Sequence, residues 1–413
     1  MDFKPYDDEL EVINNIHKYN NNDYMIIRLT KTMIEKNNID ANVFLRDLLY
    51  DFNIVDYNVL PFDGNQGIVH SGTLLYNDIF KNLRLKFYRT KTRGDKRFSI
   101  SGIRNLFQNN VLNIGDLLYI TIHVNNGNPE IKIINVTNNI PTDENLSLEF
   151  GLDTLNEALG RLIPQIRFIA QEGYHKNISG EGKVSPKDVG DTLESLLGIR
   201  TNNSQHADFE NLIEIKSKSS GTLDTLFTLR PRFESTPVAE FEPNDRSRVS
   251  AFARMYGYES EKHAGKKSLY ITIGSELAPQ NRQGFYLNVN DEERTVELIK
   301  SHNNTSIITA YWTFNDLERE LHQKHPATLW VKAEIKPNSN PGEFLYHHAI
   351  LTRSPQFMTF IALIKKGIIT YDWRGYTTTI GKYSGKSHGN AWRIKPKHRH
   401  LLFGSTEIIN LQG

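Results

Sequence analysis

Three side chains within residues 207–218 have the types and spacing for metal-assisted hydrolysis: Asp208, Glu214 and Lys216. If residues 212–216 form a strand, alternate side chains share a face, so Glu214 and Lys216 point one way and Ile213 and Ile215 point into a core. A turn or an adjacent strand brings Asp208 beside Glu214. Two hard carboxylate groups at one point suit Mg2+, which binds through one or two carboxylates and keeps several waters. Such an ion polarises a phosphate and makes hydroxide available near neutral pH. Lys216 would then sit against the attacking water or a non-bridging phosphate oxygen and stabilise developing negative charge. Glu194, from a preceding helix whose buried stripe is Leu193, Leu196 and Leu197, adds a further carboxylate. An isolated Asp with Glu-x-Lys otherwise reads as a solvated strand edge; the helix carboxylate and the surrounding sequence favour a site.

The elements around this block fall into two groups. Up to about residue 136 the pattern is mostly short strands rich in β-branched and aromatic residues, at 24–29, 67–75, 83–88, 117–123 and 130–136, with turns such as DGNQG and NNGNPE between them. One helix is expected at 42–49. This pattern suggests a compact barrel-like β domain. A polar, Pro-containing stretch follows, and residues 141–147 are expected to be a linker. From residue 148 helical spacing appears at 155–169 and 187–197. Strands follow at 212–216, 268–273, 328–336 and 367–371, and further helices at 313–323 and 355–365, indicating a mixed α/β domain. The expected organisation is a β domain over 1–140, the linker, and a mixed α/β domain over 148–413 that carries the candidate site.

At 413 residues with 38% hydrophobic content, the chain can build real cores. It has no Cys, which excludes disulfides, thiolate metal sites and Cys nucleophiles and fits a reducing prokaryotic cytoplasm. Its opening residues are polar and acidic, and the apolar stretch from Phe357 to Ile364 is far too short to span a bilayer, so no membrane association is expected. There is no HExxH, His347 and His348 are adjacent and diverge on a strand, and no Gly-rich phosphate loop followed by Lys-Ser/Thr is present, so zinc and a nucleotide cofactor are not expected. Net charge is only +1, but residues 84–97 carry seven Lys or Arg against one Asp, and residues 382–400 carry six with three His and no acid. Two such clusters in a neutral chain favour a polyanionic partner over solvated loops.

Gly190 to Ile199 (GDTLESLLGI), Asn202-Asn203-Ser204, Ala207-Asp208-Phe209 and Ile213 to Lys218 (IEIKSK) together resemble the MvaI/BcnI restriction endonucleases and, more distantly, the MutH-like nicking enzymes. The resemblance implies a restriction-endonuclease-like PD-(D/E)xK fold of the MutH-like type. It also implies that Glu194, Asp208, Glu214 and Lys216 form the active site, with Mg2+ on Asp208 and Glu214. The segments GIITYDWRG (367–375) and SHGNAWRI (387–394) resemble the family's later Asp-x-Arg and His…Gly…Arg segments, which read bases. Arg can grip guanine O6 and N7 with two hydrogen bonds, and a carboxylate can accept from cytosine N4. The implied DNA contacts are Asn203, Ser204, Lys218, Asp372, Arg374, His388 and Arg393. Without the resemblance, Asp372 and Arg374 read as a surface salt bridge and His388 as a loop histidine.

The run YRTKTRGDKRF (88–98) resembles the DNA-contacting arm of the EcoRII effector-domain family, which implies an all-β pseudobarrel with short helices. It further implies DNA contacts from Lys91, Arg93, Asp95, Lys96 and Arg97, with Asp95 standing where that family has Glu. Its alternative is an electrostatic patch that holds DNA without reading sequence. Together the resemblances imply a type II restriction endonuclease that cuts double-stranded DNA at CC(A/T)GG, leaves 5′-phosphate and 3′-hydroxyl ends, and binds a second site through the N-terminal domain. One active site per chain means that a monomer cuts the strands in turn and a transient dimer on DNA cuts both together. The alternatives are a MutH-like repair nickase and a non-catalytic DNA-binding regulator.

Overall fold

The computed structural model describes residues 4–125, 127–137, 139–151, 154–199, 206–302 and 305–411. Asn203 and Ser204 lie outside the described residues. The chain divides into two compact units, Met1–Glu157 and Ala158–Gly413, and each encloses its own core. No helix among the described residues is long and apolar enough to cross a membrane.

In the first unit, short apolar runs bounded by polar turns give β1 (Tyr24–Arg28), β2 (Ile39–Asp40), β3 (Ile68–Tyr76), β4 (Ile79–Arg89), β5 (Lys96–Ile100), β6 (Leu117–Asn125) and β7 (Asn128–Asn135). They form one curled, half-barrel sheet in the order β1-β6-β7-β3-β4-β5-β2, antiparallel except where β3 meets β7. Successive strand residues face opposite ways, and here both faces are covered. Leu74, Leu118 and Ile133 join a core with Ile34, Leu48 and Leu106 from three short helices. Their neighbours Leu75, Tyr119 and Ile134 pack with Val12, Ile16, Leu146 and Phe150 from two others. The expected helix at 42–49 is Val43–Asp51. Its N-cap Asn42 accepts a 2.9 Å hydrogen bond from the Leu45 backbone N–H, an interaction worth ~1 kcal/mol.

Residues 141–147, expected to be a linker, instead open the helix Asp143–Phe150. Thr142 caps it through the Asn145 N–H, and Leu146 and Phe150, one turn apart, are buried. The apolar stripe outweighs the polar composition around it, and the boundary between units falls after Glu157.

The second unit is mixed α/β, as expected, and its described residues form three sheets. One runs in the order Phe403–Ile409, Glu343–Pro355, Ala327–Ile335, Ile213–Lys218, with the last two parallel and Ile213–Lys218 at the edge. A second runs Asp224–Thr228, Ala391–Ile394, Ile369–Thr378, Lys266–Ile273, Tyr258–Glu259. The third is a meander of Phe285–Asn290, Thr295–His302 and Thr305–Thr313. Their shared core is aromatic: Phe252 stacks on Trp373 at 4.0 Å between centroids, and Trp312 meets Tyr371 at 4.5 Å and Trp392 at 5.0 Å. Aromatic burial of this kind makes a rigid platform for the polar residues that alternate with it.

Candidate active site and DNA interface

The edge strand Ile213–Lys218 is buried at Ile213, Glu214 and Ile215 and opens to solvent from Lys216 onward. Asp208 reaches it through a tight hairpin. Glu210 and Asn211 both adopt left-handed backbone (φ 54° and 59°), and the Leu212 N–H closes the turn on the Phe209 carbonyl at 3.0 Å. Phe209 then pairs with Ile213, which sets Asp208 opposite Glu214. The Asp208 Oδ2 accepts a 3.0 Å hydrogen bond from the Ile215 N–H, so its carboxylate is aimed along the strand.

Glu214 lies almost fully buried between two ammonium groups. Lys216 Nζ donates to its Oε1, and Lys324 Nζ sits 2.8 Å from its Oε2 and 3.6 Å from Asp208 Oδ1. Burial and then the Glu214 charge push the Asp208 carboxyl above its ordinary value. Burial alone would pull the Lys216 ammonium down, but Glu214, Asp208 and Glu194 reverse this and hold it above its ordinary value.

Glu194 projects from the helix Asp188–Leu196, whose Val189 and Leu193 are buried. Burial, with Asp208, Asp191 and Glu214 adding repulsion, raises its carboxyl to about 7. In the unfolded chain it ionises near its ordinary 4.5. The native state therefore holds the extra proton between these values. This contribution to stability is fully present below the unfolded pKa and is lost as pH rises through the native one. Glu194→Gln stays neutral throughout. In metal-free buffer it is expected to melt above wild type at about pH 8 and level with it at about pH 4.5. A pH-independent difference in melting temperature would contradict this.

The strand residues therefore meet the hairpin carboxylate, with Glu194 within electrostatic reach. The fit to a divalent ion rests on the donor set. Two carboxylates converge, and the buried Glu214 Oε2 already faces a cation, the Lys324 ammonium at 2.8 Å. Among the described residues no group of three or more His, Cys, Asp or Glu could hold a metal. Two hard oxygen ligands suit Mg2+ with its waters and do not suit zinc.

A cleft of about 990 Å³ runs from this strand across the unit, lined by Lys187, Lys216, Lys218, Lys332, Arg393 and Arg399. Lys218 donates to the Thr222 carbonyl and pairs with the buried Asp224, whose second oxygen holds Arg399. Three expected reading residues form one cluster on the aromatic platform. Tyr371 and Trp373 point into the core, whereas Asp372 and Arg374 share the opposite face with Arg393 from the neighbouring strand. Asp372 is buried. It accepts from Thr272 Oγ1 at 2.7 Å and from Arg374 Nη2 at 2.9 Å, and Arg393 Nε lies 3.0 Å away. The side chains of Arg374 and Arg393 remain about a third and a quarter exposed. Asp372 is thus engaged with its own chain, and Arg393 also donates through Nη1 to Thr225 Oγ1 at 2.8 Å, so each arginine is tied to the unit while staying partly exposed. His388 is exposed, its backbone N–H donating to the Arg374 carbonyl at 2.8 Å, with Tyr270 nearby.

In the first unit, the residues expected to contact DNA lie on the loop joining β4 and β5 and on the first two positions of β5. Lys91 and Arg93 are exposed at the tip of the loop. Arg97 is held by Asp40 at 2.6 Å and Asp95 at 3.2 Å, and Lys96 donates to Asn58 at 2.9 Å. Burial, with Arg46 and Arg89 adding repulsion, holds the Lys96 ammonium below its ordinary value. Gly94 turns the loop at φ 66°, and a Cβ there would fall 2.0 Å from the Phe62 ring; only glycine permits this approach.

Lys324 and Asp224 escaped sequence reasoning, and Arg399 was covered only as part of the basic run 382–400. Lys324 ends the helix Phe314–Lys324, where a lysine ordinarily serves the helix dipole. Only the tertiary fold brings it to Glu214.

No curated protein matches the chain. Among solved structures, the restriction endonuclease MvaI in complex with its cognate DNA substrate superposes with a TM-score of 0.51 at 23% identity. The match covers 61% of this chain and 98% of that one. MvaI in the absence of DNA matches over the same shares at 22% identity and a TM-score of 0.38. The first of these similarities speaks to the fold. A sequence model of the MvaI/BcnI restriction endonuclease family matches residues 163–403, more than half of the chain. The chain belongs to the MvaI/BcnI restriction endonuclease family and is a type II site-specific nuclease.

Proposed function

We propose that the second unit hydrolyses one phosphodiester per strand of duplex DNA at CC(A/T)GG with Mg2+ on Asp208 and Glu214. The first unit, in this reading, binds a second copy of the site. The observation that carries the chemistry is the convergence of Asp208, Glu214 and Lys216 at the edge of a cleft lined by cations. A bound Mg2+ supplies Lewis-acid polarisation and a water of lowered pKa. The Asp208 carboxylate is oriented by the Ile215 N–H, and Glu214 holds the Lys216 ammonium in place. Lys216, kept charged by its acidic neighbours, stabilises the negative charge that builds on the reacting phosphate. Lys218 and Arg399 grip the backbone, and Arg374 and Arg393 present guanidinium forks to base edges. The preference for CC(A/T)GG rests on the family resemblance of both units.

Plasmids carrying none, one or two CC(A/T)GG sites test this reading. The full chain is expected to cut only site-bearing plasmids and to cut the two-site plasmid faster. A protein lacking residues 1–151 should lose the preference for two sites. Equal rates on one and two sites for both proteins would remove the second-site role of the first unit. Nicked product alone would favour a MutH-like nickase.

A further inference from the structure

We infer that Lys324 is an internal counter-ion of the metal-binding carboxylates, which a divalent ion must displace before it can bind. This rests on the reading that Asp208 and Glu214 hold the ion. The Lys324 ammonium is surrounded as a bound cation would be: 2.8 Å from Glu214 Oε2, 3.6 Å from Asp208 Oδ1 and 3.1 Å from the His206 carbonyl oxygen. The other Glu214 oxygen is held by Lys216. Asp208 and Glu214 thus face two ammonium groups at contact range, and Glu194, whose carboxyl is raised to about 7, adds at most one further negative charge to the cluster. A divalent ion that joined without displacing an ammonium would leave excess positive charge on the cluster, beside the cleft that Lys216 borders and that Lys218, Lys332 and Arg393 already line. A Mg2+ ion also needs its carboxylate oxygen at about 2.1 Å, on the side of Glu214 Oε2 that Lys324 covers.

Of the two lysines, Lys324 is the one built to leave. Lys216 belongs to the strand and supports the chemistry. Lys324 is the last residue of its helix and reaches the site on a flexible four-carbon stem. Its backbone is pinned by the next residue. His325 is fully buried, its Nε2 donating to the Leu226 carbonyl at 2.8 Å and its Nδ1 accepting from Thr328 Oγ1 at 2.7 Å. Displacement therefore swings the side chain while the helix stays in place. A DNA phosphate in the cleft gives the departing ammonium another anion, so DNA and metal favour each other's binding, and the enzyme without DNA resists loading. Coupling between two ligands is reciprocal.

Mn2+ titration of the DNA-free protein by calorimetry is the test. Lys324→Met is expected to bind Mn2+ at least about tenfold more tightly than wild type. Lys324→Gln should behave like Lys324→Met, and Lys324→Arg, which keeps the charge, like wild type. Melting curves in EDTA establish that each variant is folded, and the Gln variant stands in if Met disturbs the site. Wild type binding Mn2+ as tightly as both neutral variants, or more tightly, would overturn the inference and leave the metal reading intact. No Mn2+ binding by any variant, with or without duplex DNA, would overturn both.

Discussion

Lys216→Ala is expected to slow plasmid cleavage by about a hundred- to a thousandfold while leaving duplex binding nearly unchanged. The side chain is three-quarters covered, donates to Glu214 and is held charged by the surrounding acids. A charge so placed acts on the phosphate as it gains negative charge and contributes little to holding the ground-state duplex. The loss should therefore fall on the turnover rate and not on DNA affinity. Lys216→Arg keeps the charge but spreads it over a wider planar group, and recovers only part of the rate. Gel-shift and single-turnover measurements on the same preparations separate the two effects. An equal loss of binding and cleavage would make Lys216 a backbone clamp, and full activity would remove it from the site.

Asp372→Ala should have the second largest effect, through the two arginines. Its carboxylate is the common partner of Arg374 and Arg393 and is itself tied to Thr272. Removing it leaves two guanidinium groups facing each other without the acid between them. Breaking a fully buried pair costs ~3–5 kcal/mol. Both arginines are partly exposed here, so solvent screening lowers the expected loss of stability to roughly 1–3 kcal/mol. The functional loss is larger. A bidentate arginine contact contributes ~1–3 kcal/mol of base discrimination, and two forks released together should reduce the preference for the target over unrelated duplex by about a hundredfold or more. Competition binding with both duplexes measures this. Retained discrimination with lowered stability would make the cluster structural only.

Much of the site was legible because it is local. The alternation of Ile213, Glu214, Ile215 and Lys216 specifies an edge strand, and the five residues between Asp208 and Glu214 leave room for a tight turn. Tyr371, Asp372, Trp373 and Arg374 alternate in the same way. What alternation does not show is whether the polar face meets solvent or the chain itself. The residues alone suggest a surface salt bridge between Asp372 and Arg374, and that pair forms, but Asp372 is buried and is also met by Thr272 and Arg393. The pairings of Lys324 and Arg399 were hidden because their partners, Glu214 and Asp224, are distant in sequence. The helix Asp143–Phe150 was hidden by composition: two buried apolar residues decide its packing in a stretch that is otherwise polar. The meander from Phe285 to Thr313 went unread in the sequence; its pairing is continuous between the first two strands and shifts once between Leu298 and Ile299.

The most direct measurement is to map the ends produced from an end-labelled duplex carrying a single CC(A/T)GG, incubated with the wild-type protein in Mg2+ and in EDTA. The expected result is one break in each strand within the site, with 5′-phosphate and 3′-hydroxyl ends, in Mg2+ only. Breaks elsewhere would contradict the target and keep the nuclease. Intact duplex in Mg2+ despite binding would contradict the central claim that Asp208, Glu214 and Lys216 form a metal-dependent hydrolytic site.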